Sequence, residues 1–325
     1  MKHRILFVTQ TLGDKAACGI GIIGNLLGET LLQHPEYDFD IVYTDTVAGI
    51  HEKINQFQPK VVIYNYSPGT SPWVDDPYVR QPYPDIKHVR IMHDMNQHIA
   101  SNFHPSLHQG WEYLLADDNS VVGNDRVFIT NRLMPNRPTV QYVQTDRPII
   151  GFQGFGPPHK GIARLAYRVQ EEFDEAVLRL HIPCGYFEDL IHGFKGSNAY
   201  ARVHEVKQII TKPGIEVIAT HDLLDTQGIV NLLAQNTINC YFYDYLDGCG
   251  IASSPDYALA AGRPIALTRS FQFRNFWHIP EIFIENKSIK EIIAQGTAPL
   301  EPMYNAYSKE SVWADYTAML TKLIN

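Results

Sequence analysis

Short apolar runs alternate with amphipathic stretches along the whole chain. The apolar runs predict β-strands at Ile5–Thr9, Phe39–Tyr43, Lys60–Tyr64, Val89–His93, Val127–Thr130, Ile149–Phe152, Val177–Ile182, Glu216–Ala219, Ile238–Tyr245, Pro264–Thr268 and Ile282–Ile284. Stretches with helical spacing lie between them, at 22–32, 47–57, 162–174, 227–235, 254–261 and 309–323. Because strands that alternate with helices form a parallel sheet covered on both faces, the pattern predicts an α/β fold.

A change in composition divides the pattern into two halves. Prolines bracket a polar segment, 136–148, and a new strand begins at Ile149. A chain of 325 residues is long for one hydrophobic core and fits two. We therefore expect two separate α/β domains, joined near residues 136–148. The expected ranges are 1–147 and 148–308, followed by a C-terminal helix at 309–325.

Composition and charge disfavour several classes of protein. A net charge of −8 makes extended binding to a nucleic-acid backbone a poor expectation. The four cysteines are scattered without a CxxC spacing, which favours free thiols in a reducing compartment. The apolar run near the N-terminus is too short for a signal peptide or a membrane span. We expect a cytoplasmic protein with no integral membrane contact.

The segment after the predicted strand Ile238–Tyr245 holds the most specific motif. An acid and glycine loop, 247–250, is followed by a short helix from about Ser254 to Ala261, which Gly262 ends. A glycine loop that opens onto a helix N-terminus offers unpaired N–H groups and a positive dipole end to an anion. The segment therefore predicts a phosphate-sized ligand at the carboxyl edge of a sheet.

Glycine loops also follow the first strand of each predicted domain. Gly13, Gly19 and Gly21 come after the first strand, and the loop 154–161 follows the strand at Ile149. The second loop carries Lys160, whose ammonium can neutralise a diphosphate as a point charge. Neither loop has the P-loop spacing GxxxxGK[ST]. The same residues would also occur in a tight turn and beside a solvated lysine that binds nothing. An anion-binding loop and an ordinary turn therefore both stay open here.

One histidine stands at a predicted strand end. His93 closes the strand Val89–His93, at the edge where open α/β sheets bind ligands. Its ring can exchange a proton near neutral pH or bond a hydroxyl group, although a structural histidine that caps the strand would look the same. The later histidines fit no helical metal motif: His98, His104 and His108.

Acidic residues offer two further interpretations. Asp244, Asp247 and Asp256 are suited to hold sugar or ribose hydroxyl groups. Two acid pairs, Asp117-Asp118 and Asp244 with Asp247, could instead bind a metal–diphosphate complex in a transferase of another fold. Neither pair forms a DxD motif, so we predict no metal and no cofactor.

Together these motifs resemble the GT-B glycosyltransferases, in particular the large retaining family that includes bacterial mannosyl- and glucosyltransferases and sucrose synthase. In chain order, the segments that carry the resemblance are Ala17–Gly21, Arg90–Asp94, Gly154–Gly161, Asp247–Gly250 and Tyr257–Ile265. The resemblance implies a catalytic role for His93, near the sugar or the acceptor hydroxyl, and for Asp247, on the sugar hydroxyls. It implies donor contacts from Gly19, Gly21, Lys160, Gly248, Cys249, Gly250, and Asp256 or Tyr257, the last two toward the ribose.

The chain departs from the pattern of that family at three places. Phe155 stands where the family has an arginine, so a second phosphate cation must come from elsewhere. Asp247 replaces a glutamate, and the second glutamate falls on Asp256 or Tyr257. The candidates for the missing cation are Arg132, Arg269 and Arg274.

The resemblance implies two Rossmann-like domains that face each other across a cleft, with the C-terminal helix packing back on the first domain. It also implies transfer of a sugar from a nucleotide diphosphate sugar to an acceptor hydroxyl, without a metal and with retention of configuration. A saccharide, a lipid-linked glycan, a protein or a modified nucleic-acid base could serve as acceptor, near the long loop 67–85 of the first domain. Two alternatives stay open. A sugar-nucleotide epimerase would turn over the donor alone, and a non-catalytic sugar-nucleotide or carbohydrate-binding protein would bind it without consuming it.

Overall fold

The computed structural model describes residues 2–11, 19–69, 71–184 and 197–325. Within these ranges the strands form two separate sheets, all of whose pairings are parallel. The chain divides into two compact units, of which the first comprises Met1–Leu133 and Ala306–Asn325 and the second Met134–Asn305. The predicted α/β class is confirmed.

The first unit contains a six-stranded sheet with the order β2-β1-β3-β4-β5-β6. Its strands are β1 (Arg4–Thr9), β2 (Asp38–Tyr43), β3 (Val61–Asn65), β4 (Lys87–Ile91), β5 (Tyr113–Ala116) and β6 (Val127–Ile129). Its helices are α1 (Gly19–Leu31), α2 (Val47–Phe57), α3 (Gln97–Ser101) and the C-terminal α10 (Lys309–Ile324). Strand β5 was missed because its apolar run spans only four residues and is followed by two aspartates.

Alternate residues of the first sheet enter two apolar layers. Ile5 and Phe7 of β1 lie in one buried cluster, and the intervening side chains lie in the other. The cluster around Ile5 also holds Val312, Tyr316 and Leu320 of α10. The C-terminal helix therefore completes one face of the first sheet.

The second unit contains a five-stranded sheet with the order β11-β10-β7-β8-β9. Its strands are β7 (Ile149–Gln153), β8 (Ala176–His181), β9 (Ile215–Thr220), β10 (Ile238–Tyr241) and β11 (Ile265–Leu267). Its helices are α4 (Ile162–Glu172), α5 (Ser197–Ile209), α6 (Thr226–Ala234), α7 (Ser254–Ala260), α8 (Ile289–Gln295) and α9 (Glu301–Ala306). The division between the two units leaves the last residue of α9 in the first unit.

The predicted strand Ile282–Ile284 is wrong. Pro280–Ile282 forms a turn of 3-10 helix, and Phe283 makes only an isolated bridge to Leu267. Proline lacks an N–H donor and holds φ near the helical value, which favours the turn over a paired strand.

The polar segment 136–148 belongs to the second unit. Arg137 donates to the carbonyl groups of Leu259 and Ala260 at the end of α7, at 3.4 and 3.5 Å. Its guanidinium carbon lies 4.4 Å from the centre of the Tyr304 ring. A compact unit of a folded chain need not be a domain that folds alone. The domain ranges 1–147, 148–308 and 309–325 therefore stay a prediction.

Candidate functional site

Three neighbouring strand ends of the first sheet carry polar side chains that contact one another. Asn65 ends β3, His93 follows β4, and Asp117 follows β5. His93 Nε2 lies 2.8 Å from Asn65 Oδ1, and His93 Nδ1 lies 3.3 Å from Asp117 Oδ2. The ring therefore lies at the predicted sheet edge, and both of its nitrogens are engaged. Sequence reasoning did not select Asn65, and it considered Asp117 only as a metal ligand.

The hydrogen bonds of Asn65 decide which way its side-chain amide faces. Asn65 Nδ2 donates to the carbonyl oxygen of Ile20, at 3.2 Å, in the first turn of α1. A carbonyl oxygen can only accept, so the amide oxygen of Asn65 faces His93 and accepts a hydrogen bond from Nε2. The carboxylate of Asp117, on the other side of the ring, is also an acceptor.

Asp117 belongs to a buried ion pair. Arg132 Nη1 lies 2.6 Å from Asp117 Oδ2, and the two side chains are only 4% and 10% exposed. Burial alone would raise the pKa of Asp117, but the Arg132 guanidinium and the His93 ring hold it well below its ordinary value. Asp117 is therefore a fixed negative charge at neutral pH. Because Arg132 is committed to this carboxylate, it is a poor candidate for the missing phosphate cation.

Gly19 and Gly21 lie in the first turn of α1, while Gly13 and the rest of the predicted glycine loop before position 19 lie outside the described residues. The first N–H groups of a helix have no partner within it, which makes this turn suitable for an anion. A Cβ atom at Gly24 would lie 1.9 Å from Asn65 Nδ2. Close seating of α1 on Asn65 therefore requires glycine at position 24.

Lys160 lies near the carboxyl edge of the second sheet, at the end of a turn of 3-10 helix, Pro158–Lys160. Its ammonium lies 3.9 Å from the centre of the Tyr243 ring, a distance typical of a cation–π contact. Within the described ranges Lys160 forms no ion pair with a carboxylate. The ammonium is therefore a charge that an anionic ligand can use.

The backbone around Lys160 fixes this turn against the end of β10. Gly161 has a φ of 64°, and a Cβ atom there would lie 1.8 Å from the carbonyl oxygen of Phe242, so only glycine fits. The N–H of Asp244 donates to the carbonyl of His159 at 2.8 Å. Burial, together with the Lys160 charge, lowers the pKa of His159. The turn thus brings one cation and a largely neutral imidazole to the sheet edge.

Tyr243 is a functional candidate that sequence reasoning missed. Its side chain is fully buried, and its hydroxyl lies 3.1 Å from Ser254 Oγ at the start of α7. In the sequence it is one of several aromatic residues in an apolar run, with nothing to separate it from a core residue. Only its position under Lys160 distinguishes it.

The acid and glycine loop after β10 is held through its backbone. Asp247 is exposed, and its carboxylate accepts from the N–H of Gly248, at 2.9 Å, within the same loop. Gly248 has a φ of 73°, which favours glycine. Arg274 donates to the carbonyl of Cys249 at 2.9 Å, beside the half-buried Gly250. The loop thus lies at the predicted place, while the guanidinium of Arg274 supports its backbone.

The two candidates for ribose contact lie inside α7. Asp256 is 2% exposed and Tyr257 is 5% exposed. Helix α7, which carries both residues, packs against β10 and β11. Both candidates therefore lie in the packed interior of the second unit, and their role toward a ribose stays a prediction.

The described residues lack two kinds of feature. None of the helices there is both long enough and apolar enough to cross a bilayer. No group of three or more His, Cys, Asp or Glu side chains there is arranged to hold a metal ion. The histidines considered as ligands in the sequence are not gathered into such a group: His98, His104 and His108.

Comparison with known proteins gives matches in structure alone. No family model matches the chain, and no curated protein matches it in sequence. A sucrose-phosphate synthase from Thermosynechococcus elongatus superposes with a TM-score of 0.67 at 12% identity, over 99% of both chains. A glycosyltransferase from Rickettsia africae gives a TM-score of 0.62 at 11% identity, over 100% of this chain and 99% of the other.

A third solved structure includes ligands. It is an α-glucosyltransferase in complex with UDP-glucose and DNA containing an abasic site, with a TM-score of 0.54 at 10% identity, over 97% of this chain and 95% of the other. At such low identity these likenesses show the fold. The chain has the GT-B fold, with two parallel sheets, as the sequence resemblance predicted.

Proposed function

We propose that this protein is a glycosyltransferase that moves a sugar from a nucleoside diphosphate sugar to a hydroxyl group of an acceptor. The observation that carries the proposal is the Lys160 ammonium, which is held on the Tyr243 ring near the carboxyl edge of the second sheet and forms no ion pair in the described ranges. The fold supports it, because a solved structure that shares this fold is a glucosyltransferase in complex with UDP-glucose.

The reaction breaks the bond between the anomeric carbon and the donor diphosphate, and forms a bond from that carbon to the acceptor oxygen. The electron pair of the broken bond leaves with the diphosphate, which gains negative charge. The proton of the acceptor hydroxyl passes to an oxygen of that diphosphate or to water. Preorganised cations and N–H donors aimed at that charge stabilise the transition state. We assign this role to Lys160 and to the backbone of Gly248–Gly250, and we keep Gly19 and Gly21 as predicted donor contacts.

The remaining donor contacts follow from the predicted roles. Asp247 would hold sugar hydroxyls, which requires its carboxylate to exchange the bond to Gly248 for one to the sugar. Asp256 or Tyr257 would hold the ribose. We propose retention of configuration, in line with the family that the sequence resembles. The anomeric configuration of the product, measured by nuclear magnetic resonance, tests that part of the proposal.

For the acceptor we propose a saccharide or a lipid-linked glycan in the cytoplasm. The net charge of −8 opposes binding to a nucleic-acid backbone. Although one protein of this fold was solved with DNA, it shares only 10% identity with this chain. A modified nucleic-acid base is therefore the less favoured acceptor.

The direct test is turnover of a panel of UDP- and GDP-sugars with and without candidate saccharide acceptors. We expect release of the nucleoside diphosphate that rises when the correct acceptor is present, together with a glycosylated product. Conversion of the donor into a different nucleotide sugar without an acceptor would instead establish an epimerase. Tight binding, seen as a raised melting temperature, with no donor consumed would establish a binding protein.

We predict that turnover does not need a divalent metal. Lysine and helix N-termini can balance the diphosphate charge in its place. The rate in excess EDTA should equal the rate in magnesium or manganese to within about twofold. Loss of turnover in EDTA that manganese or magnesium restores would contradict this prediction. It would favour metal binding by one of the acid pairs, Asp117-Asp118 or Asp244 with Asp247.

For His93 we propose contact with the sugar or with the acceptor hydroxyl. Since both ring nitrogens are engaged, that contact would replace the longer bond, 3.3 Å to Asp117. His93→Ala should fold normally, bind the nucleotide nearly as well and lower kcat about tenfold, as expected for one lost hydrogen bond to the reacting substrate.

The exposed His98, five positions along the chain, supplies the control. His98→Ala should change neither kcat nor the melting temperature. A His93→Ala protein that loses about 1–3 kcal/mol of stability and keeps its full rate would show that the ring only joins the strand ends. Melting temperature and kcat should be measured on the same preparations.

A further inference from the structure

We infer that Tyr243 is a positioning residue, whose ring holds the ammonium of Lys160 in place for the donor diphosphate. The inference rests on the proposed function and adds a residue to its donor site. The ammonium lies 3.9 Å from the ring centre. Lys160 and Tyr243 are far apart in the sequence and meet only because β7 and β10 are neighbours in the sheet.

The Tyr243 ring is itself held from several sides. Its hydroxyl contacts Ser254 Oγ at 3.1 Å, and its centre lies 4.7 Å from that of the Phe273 ring. Thr268 donates to its backbone carbonyl at 2.7 Å. A fully buried ring with these contacts has one orientation, so its face is a fixed platform.

A ring face suits this purpose better than a carboxylate would. Lysine has a long flexible stem, and ordering it costs conformational entropy when a ligand binds. A cation–π contact orders the stem in advance. Unlike a carboxylate, the ring brings no negative charge, so the ammonium keeps its positive charge for the diphosphate.

The test is a double-mutant cycle read out as binding of UDP and of uridine by calorimetry. Lys160→Ala should weaken UDP binding and leave uridine binding unchanged. Tyr243→Leu should weaken UDP binding about fivefold, and Tyr243→Phe, which keeps the ring, should recover most of that loss. In the Lys160→Ala background, Tyr243→Leu should cause no further loss, because the ring acts through the ammonium.

A matched control separates positioning from packing. Phe276 is also fully buried and belongs to the same unit. Phe276→Leu removes a buried ring of similar size, and its effect on UDP binding should be the same with and without Lys160. Equal losses from Tyr243→Leu in both backgrounds would overturn the inference, since the ring would then act only on the fold.

A second comparison covers the case in which Tyr243→Leu does not fold. A fluorinated phenylalanine at position 243 keeps the shape of phenylalanine and removes the negative potential of its face. It should bind UDP several-fold more weakly than Tyr243→Phe, at a similar melting temperature. Equal affinities would overturn the inference.

Failure of the proposed function gives a different result. If Lys160→Ala weakens UDP binding and the Tyr243 variants do not, only the inference is overturned. If Lys160→Ala has no effect on UDP, the assigned donor site is wrong, and the inference falls with it. A native protein that binds none of UDP, GDP and inorganic diphosphate overturns both.

Discussion

Arg132→Met is expected to destabilise the first unit by about 3–5 kcal/mol. The substitution removes the guanidinium that lies 2.6 Å from Asp117. Among the described residues, the buried carboxylate then keeps the His93 ring, 3.3 Å away, as its side-chain hydrogen-bond partner. Urea denaturation at pH 7, followed by tryptophan fluorescence, measures the change. Three of the four tryptophans lie in the first unit, so the signal reports mainly on that unit: Trp73, Trp111 and Trp313.

The acid side of the stability profile should change as well. The pKa of Asp117 is lowered in the folded protein, so its contribution to stability is present above the unfolded value, about 3.9, and is lost as pH falls through the folded value. Without Arg132 the folded pKa rises. The variant should therefore lose less additional stability than the native protein does when the pH is lowered from about 4 toward 2.

Arg126 is a matched control for the charge. It lies in the same unit, and its side chain is exposed. Arg126→Met should change the unfolding free energy by less than about 0.5 kcal/mol. If Arg132→Met costs as little as Arg126→Met, the ion pair is not important for the fold.

Lys160→Ala should raise the donor KM or lower kcat by about one to two orders of magnitude. A charge-assisted contact to an anion is worth about 1.5–3 kcal/mol, and each 1.4 kcal/mol corresponds to about a factor of ten. Steady-state rates with the donor identified in the turnover panel measure the effect. Because the contact is electrostatic, the difference from the native protein should shrink as the salt concentration rises.

An exposed lysine of the same unit serves as the comparison. Lys207 lies on α5 with its side chain in solvent. Lys207→Ala should leave both kinetic constants within about twofold of the native values. Native rate and donor affinity in Lys160→Ala would remove Lys160 from the site.

Much of the architecture follows from local sequence patterns. The predicted helix 47–57 has the same bounds as α2, and the predicted 309–323 differs from α10 by one residue. Both helices are capped by hydroxyl side chains just before their first residue, Thr46 and Ser308. Periodicity and caps are local properties, so one sequence is enough to read them. Failures occurred where the signal was short, as in β5, or contradicted by a proline, as at Pro280. The helix α5 was also missed, because its apolar positions follow the helical period only weakly.

The contacts among the candidate functional residues were decided only by the tertiary structure. Position at a strand end was sufficient to select His93, and glycine spacing was sufficient to select the loop 247–250. No local pattern predicts that Asn65 and Asp117 engage both nitrogens of His93, or that Tyr243 lies under Lys160. Each of these contacts joins different strands, and strand order in a parallel sheet is set by packing of the whole unit. The sequence alone thus determined which segments fold and which residues could carry chemistry, while the order of the strands decided which of those residues meet.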